Sequence, residues 1–103
     1  KGTIERVAGA DTDSAPVTRV ITGIGDISGD ISIFRGNGAV VQTQTADQGP
    51  GNFGTYPLYL GARAGTSLFF NGRLYSLIVR GAQTPLPQIQ TVESYIKQKM
   101  RLP

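Results

Sequence analysis

The pair Asn37-Gly38, set between Asp30-Ile31-Ser32-Ile33 and Ala39-Val40-Val41-Gln42-Thr43, limits what this chain can become more than any other feature. A two-residue link between strands matches their twist best in the primed turn types, and type I′ needs positive φ at both central residues. Asparagine and glycine enter that region at the lowest cost. An antiparallel hairpin about Asn37-Gly38 is therefore predicted. Its first arm alternates polar with apolar at period two, the pattern of a strand with one wet face. Upstream, Val17 to Ile24 is β-branched or long, with Val20 and Ile24 on one face, and predicts another strand before Gly23, Gly25, Asp26 and Gly29 punctuate the chain.

Downstream the signals are coarser. Leu58-Tyr59-Leu60 predicts a short strand, and Gly61 to Ser67 a turn. Phe69 to Arg80 holds the most apolar run, in which Leu74-Tyr75-Ser76-Leu77-Ile78-Val79 carries bulk on both faces. That pattern predicts a strand in the middle of a sheet covered by another layer. The tail then changes period. Leu86, Ile89, Val92, Ile96 and Met100 recur at steps of three and four, which predicts a helix from about Pro87 to Met100 docked on the sheet, with Thr84 as a candidate cap. Glu93 is placed on its outward side. Ala8 to Pro16 is predicted as a loop, and Lys1 to Val7 as a strand or a ragged start.

Composition narrows the chemistry. The 103 residues fit one domain, and the chain contains neither cysteine nor histidine. Disulfides, thiolate metal sites and cysteine nucleophiles are thereby removed, together with the usual zinc ligand and the usual neutral-pH base. Net charge is +3, but the arginines are dispersed and only Lys97, Lys99 and Arg101 form a group. At a helix C-terminus that group partners the macrodipole, so no nucleic-acid partner is expected. No apolar run reaches the roughly 20 residues that span a bilayer, and the first residues lack the apolar core of a secretion signal, so no membrane insertion is expected.

The segment from Leu58 to Lys99 resembles the C-terminal half of a concanavalin A-like, laminin-G-like jelly-roll domain. The marks are Leu60-Gly61 with an arginine soon after, Phe70-Asn71-Gly72-Arg73-Leu74-Tyr75 leading into a long apolar strand, and a short closing helix around Glu93-Ser94-Tyr95-Ile96. With Arg35-Gly36-Asn37-Gly38 and Asp47 to Asn52, the resemblance extends from Val17 to Lys99 and is to the versions found in structural and tail proteins of tailed phages and prophages. It implies an all-β antiparallel sandwich, partial, with one C-terminal helix. Phe70, Leu77 and Val79 would hold the two layers together, and Gly72 would permit a bulge. A full jelly roll of this kind is nearer about 200 residues, so the single domain 1–103 is expected to be a fragment or a shortened version. Edge strands and an apolar face left uncovered would favour self-association.

The family includes glycosidases, whose mechanism needs paired carboxylates. Glu5, Asp11, Asp13, Asp26, Asp30, Asp47 and Glu93 form no such pair in the sequence, so the expected role is non-catalytic. It is that of a module of a virion or extracellular-surface protein, acting in assembly with copies of itself or other structural subunits, or in adhesion to a cell-surface glycan. A stand-alone lectin-like module is the alternative, and a remnant of a glycan hydrolase the third reading. The candidate ligand site is the loop Asp47-Gln48-Gly49-Pro50-Gly51-Asn52-Phe53-Gly54. There Asp47, Gly49, Asn52 and Phe53, with Tyr56 beyond, supply the carboxylate, amides and rings that grip a sugar. The plainer reading is a turn whose Asp47 and Asn52 bond to neighbouring amides. No cofactor is expected. Calcium is the one metal for which this loop holds suitable oxygens, though two side chains fall short of six to eight ligands.

Overall fold

A computed structural model describes residues 14, 16–51 and 53–102 of the chain. Three strands and one helix follow in order: β1 (Ile21–Asp26), β2 (Ile31–Gly36), β3 (Ala39–Gln44) and α1 (Leu86–Lys99). The strands form a meander of order β1-β2-β3, antiparallel throughout.

The β2–β3 hairpin turns where the sequence requires it. Asn37 has φ of 50° and Gly38 of 91°, the positive pair of a type I′ turn. Beyond the turn the register slips by one residue between Phe34 and Arg35, because Phe34 pairs with Gln42 and Arg35 with Val40. Val41 is thus the extra residue of a β-bulge. The β1–β2 connection closes through Asp30, which takes φ of 54° and donates its N–H to the Ile27 carbonyl at 3.2 Å. The first strand begins and ends later than the predicted Val17–Ile24.

Helix α1 starts one residue before the predicted position. Pro85 holds the N-cap position, no side chain caps the helix, and Thr84 instead donates its hydroxyl to the Ala82 carbonyl at 3.4 Å. Lys97 and Lys99 fall in the last turn, as the macrodipole favours. The inward face is rotated from the predicted one: Glu93 is buried and Ile89, Ile96 and Met100 are half-buried, while Leu86 and Val92 are exposed.

From residue 53 to residue 85 no strand forms. The predicted turn after Gly61 is present, closed by Arg63 N–H on the Ser67 carbonyl at 2.7 Å with positive φ at Ala64 and Gly65. The predicted strands at Leu58–Leu60 and Leu74–Val79 are not, and Gly72 therefore sits in no bulge. Phe70, Leu77 and Val79, expected to clamp two layers, are 65%, 50% and 70% exposed. The physical reason lies in what faces them. The described residues form one sheet and one helix, and a run with bulk on both sides needs a neighbour on each. The buried hydrophobic residues among those described are Val20 and Ile27. The loop and strand readings for residues 1–13 lie outside the described residues.

Candidate functional site

The candidate loop is held by its own backbone and by the β1–β2 turn. Asp47 Oδ1 accepts the Gly49 N–H at 2.7 Å, an Asx turn that Gly49 completes with φ of 72°. Gln48, overlooked in the sequence as one residue among glycines, is 5% exposed and anchors the loop. Its backbone N–H donates to Asp30 Oδ1 at 2.8 Å, and its side-chain amide to the Asp26 carbonyl at 3.4 Å. Asp26 in turn accepts the Ser28 hydroxyl at 2.8 Å and the Gly29 N–H at 3.0 Å, and these donors, the Gly29 amide foremost, hold its carboxyl below the usual range.

The two rings of the loop lie against backbone. The Phe53 ring reaches back to β1, where a methyl group on Gly25 would stand 3.1 Å from its Cζ. Tyr56 is 86% exposed, with its ring folded over Gly54 and its N–H bonded to the Gly54 carbonyl at 3.0 Å. Asn52 lies outside the described residues. Among the described residues no group of three acidic side chains stands close enough to share a metal ion. The turn reading thus accounts for Asp47 and Gly49, while the two rings remain open to solvent.

Among the described residues the densest polar site lies elsewhere. Arg35, on β2 just before the turn, donates Nε–H to Glu93 Oε1 at 2.9 Å and Nη2–H to Glu93 Oε2 at 3.0 Å, a bidentate pair with both side chains at most 5% exposed. Thr22 of β1 donates its hydroxyl to Glu93 Oε1 at 2.8 Å, and Arg35 Nη2 also reaches the Gly38 carbonyl at 2.6 Å. The Arg35 hydrogen bonds, helped by Thr22, hold the Glu93 carboxyl below the ordinary range against the effect of burial, and Glu93 raises the Arg35 guanidinium in return. Asn37 completes the joint. It donates its N–H to the Val20 carbonyl at 2.8 Å, accepts the Val20 N–H on Oδ1 at 3.1 Å, and accepts from Lys97 Nζ on its own carbonyl at 3.4 Å. This corrects the outward placement of Glu93. A lone carboxylate spaced four and three residues from Ile89 and Ile96 was the sequence signal for it. The cluster is a structural joint: guanidinium and carboxylate neutralise one another and neither is left to act on a substrate.

One cleft, of about 480 Å³, opens between the apolar stretch and the helix. Tyr75 and Ile78 line it from the stretch, Ile96, Lys99 and Met100 from the C-terminal end of the helix, and Thr18 from the segment before β1. No described helix is long and apolar enough to cross a membrane. Comparison of the chain with protein-family models, with curated proteins and with solved structures finds no match.

Proposed function

We propose that this chain is a non-catalytic β module of a tail-type structural protein of a phage or prophage particle, acting in assembly. The resemblance of its later segment to laminin-G-like modules of such proteins motivates the reading. The observation that carries it is the apolar stretch from Phe69 to Val79, whose large hydrophobic side chains are each half or more exposed. Contiguous apolar surface on this scale marks an interaction face. Glu93, the described carboxylate most removed from water, is spent on Arg35, and Asp26, Asp30 and Asp47 each accept hydrogen bonds from nearby groups. A role that needs surface and no reactive group fits these residues best.

Adhesion to a cell-surface glycan is the second reading, favoured by the exposed rings of Phe53 and Tyr56 in one loop. A broad glycan array separates the two. Silence supports assembly; binding that Asp47→Ala and Tyr56→Ala abolish replaces it with adhesion. Release of reducing ends from polysaccharide would replace both with a glycan hydrolase.

A further inference from the structure

Within the apolar stretch, residues 71–80 make no backbone–backbone hydrogen bond among the described residues. Arg73 lies inside this stretch and Arg80 at its end; Arg80 donates to the Gln88 side chain at 3.3 Å, and among the described residues neither arginine pairs with a carboxylate.

Among the described residues the opposite charge lies at another place. Glu93 is buried against Arg35, and the remaining described carboxylates are Asp26 and Asp30 at the β1–β2 turn and Asp47 in the loop that Gln48 ties to that turn. One chain therefore carries an apolar face studded with arginine and a separate acidic end. Two identical stretches brought together would offer the arginines no carboxylate. An arginine face set on an acidic end satisfies both, and the molecule that offers both is another copy of itself.

We propose that a second copy of this chain covers the Phe69–Val79 face, head to tail, with its acidic end at Arg73 and Arg80. This rests on the assembly reading and names its partner. Such a contact is heterologous, so repetition builds a ring or a filament and not a closed two-fold dimer.

Sedimentation velocity of the whole chain tests it by charge exchange. Arg73→Glu alone and Asp47→Lys alone each weaken self-association about tenfold, in line with losing one favourable charge contact. An equimolar mixture of the two variants recovers it, because each altered surface then finds its complement, and so does the double variant. Ile78→Lys abolishes association while the far-ultraviolet dichroism of α1 is retained. A monomer at every concentration overturns the proposal, as does association that both charge variants leave unchanged or that their mixture fails to restore. Sugar binding lost on Asp47→Ala would defeat the assembly reading without affecting these results, so the two failures are told apart.

Discussion

Glu93 Oε1 receives the Nε–H of Arg35 at 2.9 Å across 58 residues of chain, and this bond ties the helix to the sheet. The pair is nearly dry, so removing one partner strands the other charge. Glu93→Ala is expected to cost about 3–5 kcal/mol, the usual penalty for half of a buried pair. Chemical denaturation followed by dichroism reads it. Arg35→Met combined with Glu93→Leu should return most of the loss, since an apolar pair of similar volume strands nothing. A double variant no more stable than Glu93→Ala would show that packing about the joint, and not charge, sets the cost.

Acid should open the same joint. The Glu93 carboxyl is held below its ordinary value of 4.5, chiefly by the Arg35 hydrogen bonds. A group depressed in the folded state contributes stability that is fully present above its unfolded value and is lost as pH falls through the folded one. The midpoint of thermal unfolding is therefore flat with respect to Glu93 above about pH 5 and falls below it. Asp26, lowered by the Gly29 amide and the Ser28 hydroxyl, acts in the same direction from an exposed site. Glu93→Gln should flatten part of that acid limb. An unchanged limb would assign the loss to other carboxylates.

The hairpin turn makes a separate prediction. Gly38→Ala places a Cβ on a residue with φ of 91°, at an expected cost of about 1–2 kcal/mol. The space itself is open, because the nearest atom to that Cβ, Glu93 Oε2, is 3.6 Å away. Asn37→Gly relaxes the backbone but removes the bond from the Val20 N–H to Oδ1, worth about 1 kcal/mol. Equilibrium unfolding should therefore find Asn37→Gly destabilising even though glycine suits the turn. A neutral Asn37→Gly would mean that water replaces Oδ1 without loss.

These contrasts show which parts of the fold are legible in the residues. Asn37-Gly38 dictates its turn locally, and the three-and-four spacing of apolar residues dictates α1, so both are found nearly where expected. Leu74–Val79 is different. Its apolar bulk states only that something must cover it, and burial depends on a partner surface that the sequence of the run does not contain. Glu93 was misplaced for a related reason. The inward face of a helix is set by what it docks against, and the complement of Glu93 was an arginine next to a bulge, 58 residues away. In the 47–56 loop the residue types admitted both a ligand site and a turn. Geometry turned on Gln48, whose burial no local pattern announced.

Calcium gives the last prediction. No three of the described carboxylates stand close enough to share an ion, so Asp26, Asp30 and Asp47 would have to move to hold one, and each already faces donors: Gly29 N–H and the Ser28 hydroxyl, Gln48 N–H, and Gly49 N–H respectively. Those N–H groups direct partial positive charge at the carboxylates, and their bonds would have to break before an ion could collect the six to eight oxygens it requires. Millimolar calcium should therefore leave the melting midpoint unchanged, whereas a ligand preferring the native state must raise it. A rise that Asp30→Asn removes would show that the turn rearranges around an ion. The loop would then be a metal site whose Asx turn is only its resting form.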